Sequence, residues 1–76
     1  MMVKKTCYFV RSIHRIDGRL VPGAVRQLRS REDARAVASA LSDYDAGVVA
    51  YEVDGDPVLD IWDEPSVLAA YGVVRT

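Results

Sequence analysis

The chain has 76 residues, half of them hydrophobic, and ten basic against eleven acidic side chains leave a net charge of −1. That is one domain near the lower size limit for independent folding, with a core worth only roughly 3–5 kcal/mol of margin, and it is too apolar and too mixed in composition to be a disordered chain. A single cysteine excludes an internal disulfide, the apolar run after Lys4 and Lys5 ends at Arg11 before it could serve as a secretory signal, and no window nears the ~20 apolar residues of a membrane helix, so the expected setting is cytoplasmic.

The first element is a β-hairpin, "TCYFVRSIHRIDGRLVPGAVRQLR". Asp17-Gly18 between two β-rich runs suits a type I′ turn, which needs positive φ at both central positions. A two-residue turn sets Ile16 opposite Arg19 and, continued without interruption, Phe9 opposite Arg26 and Tyr8 opposite Gln27. Pro22-Gly23 breaks that regularity, because proline donates no ladder bond and glycine accepts bulge geometry. An edge strand or a bulge is expected there, and the register beyond Pro22 is left open.

"SREDARAVASALSDYDAG" reads as the helix. Ser30 is a good N-cap, Asp33 stands where a capping-box acid would, and Glu32 and Asp33 suit the positive end of the helix dipole. Ala34, Val37, Ala38 and Leu41 form a small-sided buried stripe, which predicts a close approach to a sheet. The helix should stop near Ser42 or Asp43, with Gly47 ending the loop. "GVVAYEVDGDP" reads as the third strand, with Asp54-Gly55 as a second turn signal. "VLDIWDEP" reads as a long hairpin loop with Ile61 or Trp62 folded back onto the body. "SVLAAYGVV" is the fourth strand, with a bulge at Gly72. The expected architecture is α+β: a four-stranded antiparallel sheet in the order ββαββ, with one helix packed on one face, and residues 1–76 as a single domain.

One helix covers one face of such a sheet, yet both faces of these strands carry apolar side chains. Cys7, Phe9 and Ile13 alternate with Tyr8, Val10 and Ile16, and Val49, Tyr51 and Val53 alternate with Val48 and Ala50. The leftover apolar face points to a partner surface, most simply a second copy of the chain. Tyr8, Val10, Val21, Val25 and Tyr51 are the residues expected at that contact.

Charge is unevenly spread. Nine of the ten basic residues lie in 1–35 beside three acids, whereas 36–76 hold Arg75 and eight acids. Neutralisation of one half by the other on folding is the simplest reading, and head-to-tail contact between copies is another. A third is a nucleic-acid module using Arg11, Arg15, Arg26 and Arg29, with Tyr8 and Phe9 available for stacking. Against it stand the net charge and the lack of any recognition-module signature.

Catalytic chemistry finds little support, and no enzyme, cofactor or metal is expected. Cys7 and His14 are the only cysteine and histidine, and their odd spacing puts them on opposite faces of a strand. No acid is obviously placed to orient His14. Two candidate ligands are too few for zinc, and the acids of "DGDPVLDIWDE" miss the calcium-loop spacing and read as a solvated loop. Phosphate-cradling glycine motifs do not occur.

Asp17-Gly18, Gly23, Val25, Leu28, Ser30, Glu32, Asp33 and Ala34, followed by Gly55-Asp56-Pro57 and by Glu64-Pro65, Leu68, Ala69, Tyr71 and Gly72, resemble a pattern of small uncharacterised bacterial proteins. The resemblance spans most of the chain and implies neither an activity nor a site. The sequence reading is therefore a small binding protein, homodimeric through the helix-free sheet face, with another protein or nucleic acid as the alternative partner.

Overall fold

The computed structural model describes residues 4–72. They form five strands and one helix: β1 (Lys5–Ile16), β2 (Arg19–Leu28), α1 (Arg31–Leu41), β3 (Gly47–Asp56), β4 (Ile61–Trp62) and β5 (Ser66–Gly72). Every pairing is antiparallel. β1 lies between β2 and β3, and β4 and β5 follow one another along the far side of β3. The α+β class is the one expected, and the expected ββαββ order holds apart from the short β4, which adds a fifth strand; the sheet curls into a half-barrel. No helix among the described residues is long and apolar enough to cross a membrane.

The β1–β2 turn has positive φ at both central residues, 50° at Asp17 and 76° at Gly18, as a type I′ turn requires. The ladder starts at Ile16–Arg19 and runs to Ile13–Pro22. There Gly23 and Ala24 both fall against Ser12, and pairing resumes at Arg11–Val25. The Pro22-Gly23 interruption is thus a bulge. It moves the rest of β2 by one residue, so Tyr8 faces Leu28 and Phe9 faces Gln27. Because side chains alternate with period two, that single step exchanges the faces of everything beyond it.

α1 begins as its sequence dictates. Ser30 is extended, and its Oγ accepts the Asp33 N–H at 3.1 Å. The helix ends on Ser42, whose N–H donates to Ala38, and Tyr44 and Asp45 N–H both donate to the Leu41 carbonyl. Ala34 and Ala38 are fully buried against Val10, Val48 and Ala50, with Tyr8, Leu28, Val37, Leu41, Leu68 and Ala69 around them. Small residues on both sides let the helix sit close, and they also keep this core slight: among the described residues the buried hydrophobic set is two valines and three alanines.

The segment after β3 departs from expectation. Asp54-Gly55 is not a turn but the continuation of β3, and part of the expected loop is the short strand β4, paired through Gly55–Trp62 and Asp56–Ile61. The turn lies at 57–60, where the buried Asp56 carboxylate accepts the N–H groups of Val58 and Leu59 at 2.9 and 3.2 Å. Gly55 is needed for space: a Cβ there would stand 2.6 Å from Trp62 Cε3. Trp62 does fold back onto the sheet, though it stays 40% exposed. In β5 the irregularity falls at Leu68, not at Gly72, since Ala50 pairs with Ala69 and Tyr51 with Val67.

The molecule measures 47 × 23 × 17 Å, and its radius of gyration of 13.3 Å exceeds the about 11 Å of a compact domain this size. The hairpin causes part of this. β3 accompanies β1 only to Ile13, so the last residues of β1 and the first of β2 extend beyond the sheet with each other for support.

Candidate functional site

Opposed residues share a face, and neighbours along a strand alternate. Val10 and Val48 lie under α1, so the even positions of β1 and β3 face the helix. The odd positions make the other face. It runs in rows: Lys5, Gly55 and Trp62; Cys7 and Val53; Gln27, Phe9, Tyr51 and Val67; Val25, Arg11, Val49 and Ala70. At its centre the Phe9 and Tyr51 rings stack, with centroids 5.5 Å apart and an interplanar angle of 25°. Beside them Arg11, Val49, Tyr51, Pro65 and Val67 line a shallow hollow of about 310 Å³. No described element packs over this face, where Val67 is 66% and Val25 40% exposed.

The residues expected at the contact divide between the faces. Tyr51 and Val25 belong to the helix-free face. Val10 does not: it is 1% exposed in the core beneath α1, and Tyr8 packs against that core. Val21 lies opposite His14 on the projecting hairpin, on the helix side of the ladder. The bulge explains the error. Without it Val10 would pair with Val25; with it Val25 pairs with Arg11 and Val10 with Arg26. Phe9, Val49 and Val67 take the vacated places, a set the β1–β3 and β3–β5 registers reveal and local sequence does not.

The arginines divide in the same way. Arg11 and Arg15 share the helix-free side of the hairpin, Arg26 is turned to the other side, and Arg29 follows the end of β2. All four are exposed. The strand positions of the helix-free face carry Lys5, Arg11 and Arg15 and no acid.

The ion pairs found among the described residues, Lys4–Asp63 at 2.9 Å and Arg31–Glu52 at 3.1 Å, join the basic to the acidic part of the chain, and His14 Nδ1 lies 3.2 Å from Asp45 Oδ1. The hydrogen bond from Lys4 to Asp63, and then the carboxylate's charge, holds its ammonium above the ordinary lysine value. Asp45 is the acid that local sequence did not place beside His14. It comes from the α1–β3 loop, while the imidazole lies over Gly23, where a Cβ would be 2.7 Å from His14 Cδ2.

Cys7 is a half-buried free thiol on the face opposite to His14, so the two form no dyad. A larger groove of about 470 Å³ opens where β1 overruns the end of β2, between Lys5–Tyr8 and Gln27–Arg29. Cys7 and Tyr8 point to opposite faces there, so the groove straddles a strand edge and gathers no set of converging catalytic groups. Among the described residues no three potential ligands cluster as a metal site would require. Three acids of the 56–64 segment have partners: Asp56 caps the turn, Asp60 accepts from Trp62 Nε1 at 2.8 Å and Asp63 holds Lys4. The chain matches no protein-family model, no curated protein and no solved structure.

Proposed function

We propose that the protein acts by binding rather than by catalysis, as a homodimer joined through the helix-free sheet face. The observation that carries this is the stacked Phe9–Tyr51 pair set among Val25, Val49 and Val67 on a face with no described layer above it. The slight core supports a second copy as the occupant. The two valines and three alanines fully buried among the described residues make a slight core for a chain of this size, and a second copy would cover the missing layer without any other component. Two such sheets packed face to face form a sandwich about 10 Å deep between backbones.

The test is the solution mass by light scattering after size exclusion, over a wide concentration range, paired with thermal unfolding. A homodimer predicts twice the chain mass, retained at high salt, and a melting temperature that rises with concentration. A chain that stays monomeric at high concentration, with a concentration-independent melting temperature, refutes the reading.

A second reading has one observation in its favour: Lys5, Arg11 and Arg15 share that face with Phe9, Tyr51 and Trp62, and no strand position of the face carries an acid. Such a surface can hold a single-stranded nucleic acid by phosphate contact and stacking. It requires oligonucleotide retention that falls with salt and is lost in Arg11→Ala/Arg15→Ala.

A further inference from the structure

We infer that the shallow hollow on the helix-free face is a binding site for a small aromatic carboxylate, with Arg11 as its anion contact. The site is complete within one chain. Only its effect on assembly rests on the homodimer proposed above.

Arg11 stands where an arginine has least reason to be. β1 is an inner strand, and Arg11 lies in a row with Val25 on one side and Val49 and Ala70 on the other. Lys4 and Arg31 each hold an acid, whereas Arg11 has no ion pair or side-chain hydrogen bond among the described residues. No strand position of its face carries an acid that could pair with it. A guanidinium is planar and always charged, and its donor fork matches a carboxylate through two parallel hydrogen bonds. Unpaired in an apolar row, this one is free to take an anion from solution.

The hollow beside it describes the rest of the ligand. Its other walls are Val49, Tyr51, Pro65 and Val67, and its volume of about 310 Å³ is at the lower end of the about 300–1,000 Å³ usual for small-molecule sites. Tyr51 and Pro65 offer ring surface and the valines offer methyl groups, so the body that fits is apolar and flat. Arg11 is the one charged residue of the lining, which matches a single negative charge and leaves a second without a partner. Glu64 precedes Pro65 in the chain but does not line the hollow. The groove between Lys5–Tyr8 and Gln27–Arg29 is larger, but it straddles a strand edge and mixes Lys5, Thr6, Gln27 and Arg29 into its walls.

Pairing of two copies through this face takes both Arg11 side chains out of water, and a buried charge without a partner is costly. A carboxylate in each hollow supplies the counter-charge, so the bound ligand tightens the dimer.

The experiment is an NMR titration of the full chain with cinnamate, and with cinnamyl alcohol as its uncharged counterpart, in the parent protein and in Arg11→Gln. Arg11 is exposed, so the substitution leaves the fold intact. Saturable amide shifts at Val49, Tyr51 and Val67 with cinnamate, and a Kd about tenfold weaker both for the alcohol and for Arg11→Gln, support the site. Arg11→Lys recovers only part of the affinity, because an ammonium keeps the charge without the fork. Equal affinity for acid and alcohol, no loss in Arg11→Gln, shifts centred on Gln27–Arg29, or no saturable shift at all overturns it. Light scattering on the same samples separates the site from the assembly. A dimer strengthened by cinnamate supports the counter-charge role, and a dimer that cinnamate splits overturns it. A dimer without binding overturns the site and leaves the homodimer standing. A monomer that binds overturns the homodimer and leaves the site standing.

Discussion

Replacement of Val67 by threonine isolates the helix-free face from the fold. Val67 lies in β5 opposite Tyr51 and is 66% exposed, so in the isolated chain its outer methyl meets water. Threonine keeps the β-branched shape that suits a strand, so folding of the single chain should change by less than about 0.5 kcal/mol. In the proposed dimer the same atom is buried against the facing sheet. A hydroxyl buried there costs about 1 kcal/mol at the low end of the range for an unsatisfied polar group. Symmetry doubles it to about 2 kcal/mol per dimer, a rise of about thirtyfold in the dimer dissociation constant. Sedimentation equilibrium measures that constant, and urea unfolding at the lowest workable concentration measures the single chain. Tyr44→Ser serves as the control, because Tyr44 is 86% exposed in the loop after α1 and lies off the face. A dissociation constant unchanged by Val67→Thr, or shifted equally by the control, would refute the argument.

Three further substitutions probe the framework that positions the face. Val10→Ala empties part of the core beneath α1 and should cost about 2 kcal/mol in urea unfolding, whereas Val25→Ala, on the open face, should cost the single chain well under half of that. Asp56→Ala removes the acceptor for Val58 and Leu59 N–H; a loss of about 1–2 kcal/mol is expected, with faster amide exchange at those two residues by NMR. Gly23→Ala drives a methyl into the space of the His14 ring and should displace it from Asp45, read as a change in the imidazole chemical shifts with the turn at Asp17 unmoved.

Local signals wrote much of this fold. The Asp17-Gly18 turn, the Ser30 cap and the Ala34–Leu41 stripe each depend on neighbours within a few residues, and each occurs where the sequence places it. The site was less legible because face membership depends on counting. Pro22-Gly23 announces a bulge, yet not which residues of β2 absorb it, and one residue of slip carries Val25 away from Val10 and onto the open face. The Leu68 irregularity has no turn residue to betray it and turns both Leu68 and Ala69 toward the helix. β4 was hidden in a segment whose five acids suggest solvent; it forms because Asp56 is spent on the turn and Gly55 leaves room for an indole. The His14–Asp45 contact joins a strand to a loop 31 positions later, and nothing periodic links them.

The alanine-rich seam between helix and sheet also shapes how this protein responds to temperature. Heat-capacity change on unfolding follows the apolar area newly wetted, about 12–15 cal/mol/K per residue for ordinary domains. Among the described residues the fully buried hydrophobics are two valines and three alanines, with six more half-buried around them, so a single chain wets less than that and its stability curve is shallow and broad. Covering the opposite face adds aromatic and valine surface to what unfolding must expose. In the proposed dimer the curve steepens as concentration rises, and calorimetry on dilute and concentrated samples of one preparation would then trace two different arcs.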